Sequence, residues 1–167
     1  MQSSRNTSLS ATHSRKTSAG AGKQQLRAWL RLLSCSKSIE GEVRSRLRSE
    51  FSTTLPRFDV LAQLDAAGGM LTMGEISERL MVTNGNVTTL IDAMEKDQLV
   101  ARKPHPEDRR STLIVLTRGG RKLFDAMAPA HQQWIAEAMQ AMTRTELQVL
   151  ISLLEKLKTS THALDAV

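Results

Sequence analysis

Residues 72–117, TMGEISERLMVTNGNVTTLIDAMEKDQLVARKPHPEDRRSTLIVLT, change periodicity twice, and the order of those changes decides the fold. Thr72 followed by Glu75 has the spacing of a capping box and opens a short helix, MGEISERLM. After a tight break at Val82–Thr83, Thr83 is predicted to cap a second helix. Its Val87, Leu90, Ile91 and Met94 share one face. Two short helices around such a break make a helix-turn-helix. LVARK and STLIVLT then have strand composition and are separated by PHPEDRR, which predicts a β-hairpin. A hairpin directly after a helix-turn-helix is a winged helix, with the arginines at its tip or shoulder.

The outer face of the second helix carries Thr83, Asn84, Gly85, Asn86, Thr88 and Thr89. Short side chains of this kind let a helix N-terminus approach phosphates and base edges closely. Asn pairs at two points with adenine, and a Thr methyl meets a thymine methyl. Alone, TNGN would read as ordinary capping and surface residues. The basic wing changes that reading: between Val100 and Lys122 stand Arg102, Lys103, Arg109, Arg110, Arg118, Arg121 and Lys122, against only Glu107 and Asp108. Lys103, His105, Arg109 and Arg110 are therefore assigned to double-stranded DNA with the helix residues. Asp108 is expected to organise the wing by holding Arg109 or Arg110, a role compatible with turn formation.

Outward from this lobe the chain is helical. Leu26, Trp29, Leu30 and Leu33, then Ile39, Val43, Leu47 and Phe51, predict one long helix over residues 24–51 whose narrow apolar stripe fits a position beside another chain. Pro56 suits the first turn of a helix that Gly68 and Gly69 close. After the wing, Phe124, Met127, His131, Trp134, Ile135 and Ala138 line one helix, which Pro129 is expected to bend or interrupt. Leu147, Leu150, Ile151, Leu154 and Leu157 line another. No other large element is left to cover these stripes, so they predict a homodimer. The predicted organisation is a mainly α protein with a small β-hairpin: a winged helix-turn-helix lobe at 56–117 on a helical dimerisation platform formed by 24–55 and 118–161.

Residues 1–23 hold Arg5, Arg15, Lys16 and Lys23, no acid and almost nothing to bury, which predicts a disordered basic tail. That tail carries much of the net charge of +6, so the overall charge says little about the rest. No run approaches the length of a membrane span. Cys35, the single cysteine, fits a reducing compartment. A soluble, cytoplasmic protein without cofactor is expected. His13, His105, His131 and His162 are scattered, no metal-ligand spacing occurs, and no Ser or Cys has a base partner in view, which argues against an enzyme.

Residues 71–124 resemble the core of the MarR family of bacterial regulators. The wing signature D-x-R followed by a strand ending L-T-x-x-G is present as Asp108, Arg110, Leu116, Thr117 and Gly120. The resemblance extends over nearly all of residues 24–160. It implies a homodimer that presents one winged helix to each half of a pseudo-palindromic operator, with recognition helices about 34 Å apart. It also implies a repressor released by a small molecule.

The first two helices and MVTNGNVT are similar to the subgroup that controls hydroxycinnamate catabolism and responds to an aryl-CoA thioester. An aryl-CoA needs an apolar slot, for which Trp29, Phe58, Met127, His131 and Trp134 are candidates. It also needs cations for its phosphates, for which Arg31, Arg44, Arg48 and Arg57 are candidates. Three alternatives stay open. A free aromatic carboxylate would use the same slot. A ligand-independent architectural DNA binder would need none. A redox sensor would act through Cys35, although the peroxide-sensing branch surrounds its cysteine with tyrosines and this chain has none.

Overall fold

The computed structural model describes residues 7–108 and 111–162, without the side chains of residues 7–21, Asn84 and His162. The chain divides into two compact units, residues 1–46 and 47–167. The first is the greater part of one helix, α1 (Thr7–Phe51). Its exposed surface carries a pair between Arg44 and Glu40 and a 2.6 Å pair between Arg46 and Glu42, each one turn apart. The helix starts well before Gln24, so the unfolded tail predicted for residues 1–23 is replaced from Thr7 onward by helix; residues 1–6 lie outside the described residues. Adding turns to an existing helix needs no new nucleus, and no proline stands in this segment.

The second unit holds the last turn of α1 and every other element. These are α2 (Leu55–Ala66), β1 (Met70–Thr72), α3 (Met73–Leu80), α4 (Asn84–Lys96), β2 (Val100–Pro104), β3 (Thr112–Leu116), α5 (Arg118–Ala138) and α6 (Arg144–His162). Helix α2 begins with Pro56 in its first turn and ends where Gly68 and Gly69 take positive φ, the Gly69 amide donating to the Leu64 carbonyl at 2.7 Å. This reversal sends Met70–Thr72 along the wing, where Leu71 lies opposite Ile114. The predicted hairpin is therefore a three-stranded antiparallel sheet in the order β1-β3-β2. A three-residue strand offers too little alternation to be seen in the sequence.

The capping box of α3 forms as predicted. The Thr72 amide donates to Glu75 at 2.7 Å, and the Glu75 amide donates to the Thr72 hydroxyl at 3.2 Å. Bonds from the Thr72 amide and hydroxyl hold the Glu75 carboxyl below its usual range. Helix α3 ends on Met81, which takes a left-handed conformation at φ 53°. Thr83 occupies the position before α4, but its side chain makes no capping bond; only its carbonyl is used, accepting from Asn86 and Val87. The predicted side-chain cap is thus absent.

Val60, Leu61, Leu64, Ile76, Val87, Ile91, Met94 and Ile114 are fully buried and form the lobe's core. Each large aliphatic side chain buried in this way contributes roughly 1.5–3 kcal/mol. Helix α5 starts at Arg118 and runs through Pro129 without interruption. Met127 and Trp134, on either side of the proline, are both buried, and this packing offsets the hydrogen bond that proline removes. Residues 47–55 and 118–161, assigned by sequence to a platform apart from the lobe, belong to the same compact unit as the lobe.

The wing rejoins the helices at one crowded corner. The Thr117 hydroxyl donates to the Gln98 carbonyl at 2.6 Å, lies 3.0 Å from the Leu99 carbonyl, and accepts from the Gly120 amide at 3.0 Å. A Cβ on Gly120 would stand 2.0 Å from the Leu99 carbonyl oxygen and 2.9 Å from Leu116 Cδ1. The obstacle is backbone and cannot swing aside. Gly120→Ala is expected to lower unfolding stability by about 3 kcal/mol or more, the upper range of overpacking costs. Chemical denaturation of the two proteins checks this, and an unchanged midpoint would show that the corner yields.

Candidate nucleic-acid interface

Val87, Ile91 and Met94 fix the rotation of α4 by entering the core, and this turns Thr83, Gly85, Asn86, Thr88 and Thr89 to solvent. These five positions therefore share one exposed surface; the side chain of Asn84 lies outside the described ones. Thr89 donates to the Gly85 carbonyl at 3.3 Å. Nothing lies within 4 Å of the point where a Cβ on Gly85 would be, so a bare strip of backbone faces outward in the first turn.

At the wing tip, His105 has a structural task that its sequence position did not reveal. Its Nδ1 accepts from the Glu107 and Asp108 amides, each at 3.2 Å, which makes the ring part of the turn. The turn closes with the His105 amide on the Ser111 carbonyl and the Ser111 amide on the Asp108 carbonyl. Asp108 thus organises the tip through its backbone. Its predicted pairing with Arg109 or Arg110 lies outside the described residues, as do both arginines. Lys103 is exposed on β2.

Two of the wing's apparent free charges are used inside the lobe. Arg102 forks across two acids of α4, reaching Asp92 at 2.5 Å and pairing with Glu95. Arg121 pairs with Asp65 and joins α5 to α2. Of the basic residues between Val100 and Lys122 that are described, Lys103, Arg118 and Lys122 are exposed.

Of the ring-binding candidates, the structure brings Phe58, His131 and Trp134 together and adds Phe51 and Phe124. Ring centroids lie 4.6 Å apart for Phe58 and His131, 5.9 Å for Phe58 and Phe124, and 6.1 Å for Phe51 and Trp134. All three phenylalanines and one of the two tryptophans of the chain converge here. Phe51 and Phe124 read in sequence only as members of apolar stripes. Met127 is fully buried in the same unit. Trp29 and Arg31 are exposed on α1 in the first unit, where Arg44 is held by Glu40. Arg48 is exposed, whereas Arg57 is engaged by Asp97 and is not an unpaired phosphate ligand. Cys35 is an exposed thiol of the first unit. No helix among the described residues is long and apolar enough to cross a membrane, and these residues contain no group of three or more potential metal ligands.

An exposed recognition helix carried beside a basic three-stranded wing defines a winged-helix DNA-binding protein. The family model for MarR matches residues 53–112, from just after α1 to the start of β3. The uncharacterized HTH-type transcriptional regulator YkoM of Bacillus subtilis is 34% identical over 121 residues, covering 72% of this chain and 77% of YkoM. The structure of a mutant E. coli MarR complexed with operator DNA aligns with a TM-score of 0.73 at 24% identity, over 80% of this chain and 95% of that one. Bordetella bronchiseptica BpsR, whose DNA binding is regulated by 6-hydroxynicotinic acid, aligns with a TM-score of 0.68 at 22% identity, over 80% and 98%. The chain belongs to the MarR family, and it is a DNA-binding transcriptional regulator rather than an enzyme.

Two measurements test this geometry. Gly85→Ala fills open space on a helix and is expected to raise stability by about 0.5 kcal/mol, while its methyl group holds DNA off the first turn. Higher melting temperature with weaker DNA binding is the expected pair of results, and unchanged binding would remove Gly85 from the interface. Burial pushes the His131 imidazole below its ordinary range. The unfolded chain therefore takes up a proton that the folded one resists. The stability linked to His131 is complete above the unfolded value of about 6.5 and declines as pH falls below it. Melting temperatures from pH 7.5 to 5 should show this decline in the wild type and a shallower one in His131→Phe.

Proposed function

We propose that the chain is a homodimeric, ligand-responsive repressor of genes for aromatic catabolism, released from a pseudo-palindromic operator by an aryl-CoA thioester such as p-coumaroyl-CoA or feruloyl-CoA. The observation that carries the effector reading is the aromatic cluster of Phe51, Phe58, Phe124, His131 and Trp134. A flat aromatic group would pack against these rings and the His131 imidazole. A thioester also needs cations for its phosphates. Arg48, in the last turns of α1, is the exposed candidate in the unit that holds the cluster.

Dimer formation is supported by what the single chain leaves uncovered. Val149, Ile151, Leu153, Leu154 and Leu157 of α6 and Leu26, Trp29 and Leu30 of α1 remain exposed. Large apolar surface of this kind is stabilised by burial against a second copy. For release, the effector must bind the DNA-incompetent arrangement of the dimer more tightly than the DNA-bound one, since only differential affinity shifts the equilibrium.

A free aromatic carboxylate is the second reading, favoured by the regulation of BpsR by 6-hydroxynicotinic acid. Thermal shift of the pure protein with p-coumaroyl-CoA, feruloyl-CoA, their free acids and CoA separates the two. The proposal expects a rise with a thioester that neither fragment produces, and loss of operator binding at the same concentrations. A rise with the free acids alone selects the second reading. No rise with any of the compounds rejects both for hydroxycinnamates.

A further inference from the structure

Asn84, Thr88, Asp92 and Glu95 are spaced along one side of α4, so two carboxylates follow the DNA-reading positions at one-turn intervals. The Asp92 side chain is 59% exposed and that of Glu95 38%. Left uncompensated, both would repel a phosphate backbone laid along this helix. Arg102 is the cation that meets them. It lies opposite Ile114 in the β2–β3 pairing, on the same side of the sheet as that fully buried residue and thus toward α4; Lys103 points to the other side. Its guanidinium reaches Asp92 at 2.5 Å and pairs with Glu95, while its amide donates to the second Glu95 oxygen at 3.1 Å. One acid thus holds both the side chain and the backbone of the first wing strand.

We propose that Arg102 is a positioning residue for DNA binding: it offsets one of the two negative charges that Asp92 and Glu95 place on the recognition helix and ties that helix to β2, and it makes no phosphate contact of its own. The planar fork matters, because a lysine ammonium cannot span two carboxylates in this way. The inference rests on the DNA-binding role of the lobe and is independent of any effector.

The test uses the full chain and a duplex selected from a randomised library by the wild-type protein, with affinity measured by fluorescence anisotropy between 50 and 200 mM salt. Arg102→Met is expected to weaken binding at least tenfold without changing the salt slope. Hydrogen exchange of the β2 and β3 amides should become faster in the DNA-free protein. Neutralising both acids as well, in R102M/D92N/E95Q, is expected to recover at least half of the loss on a logarithmic scale, because the unmasked charges are gone. A slope reduced by about one would make Arg102 a direct phosphate ligand and overturn the proposal. So would a triple variant no better than R102M, unchanged exchange in the wing, or wild-type affinity in R102M. If R102M does not fold, Arg102→Lys decides. It retains a charge able to meet a phosphate but loses the fork, so a loss of threefold or more at constant slope supports the assignment and wild-type affinity overturns it.

Discussion

The wing is carried on a contact that only glycine permits. Where α5 begins, the Cα of Gly120 rests so close to the Leu99 carbonyl that a single methyl group would overlap it. Thr117 fills the remaining gap with a hydroxyl that donates to the carbonyls leaving α4 and accepts from the first turn of α5. The end of the recognition helix, the start of β2, the end of β3 and the start of α5 therefore meet at one point. The first turn of α5 thus abuts both the segment that leaves α4 and the end of the wing.

The electrostatics of the lobe divide between internal and external use. Arg57, Arg102 and Arg121 are bound to Asp97, to Asp92 and Glu95, and to Asp65, and each pair joins two different elements. These pairs are partly exposed, and pairs of that kind contribute modestly to stability. Their larger effect is on geometry, since they hold α2, α4, α5 and the wing in mutual register. Between Val100 and Lys122, Lys103, Arg118 and Lys122 remain exposed to act on a polyanion. A charge count along the sequence includes all six cations alike, because partners so distant along the chain meet only in the fold.

Local signals carried much of the architecture. Thr72 and Glu75 act across three residues, the Gly68–Gly69 reversal needs only backbone freedom, and the stripe of Val87, Ile91 and Met94 follows helical period. The helix-turn-helix, the wing strands β2 and β3 and the exposed reading face were legible for that reason. Readings that depended on distant partners were not. Strand β1 exists because β3 supplies its hydrogen bonds, and Arg102 and Arg121 are taken up by acids that other elements bring to them. Thr83 shows the opposite failure: its type and position suit a cap, yet its hydroxyl forms no capping bond.

By itself, then, the sequence determined the helix-turn-helix with its two following wing strands, the face of α4 turned to solvent and the family signature from Asp108 to Gly120, all of which depend on short-range periodicity, capping and steric limits. Tertiary structure decided which cations stay available and that Phe51 and Phe124 join Phe58, His131 and Trp134 in one aromatic cluster. It also decided that the wing is locked to the recognition helix through Arg102. Those outcomes are contacts between elements separated by turns and strands, and their energies exist only once the core brings the elements together.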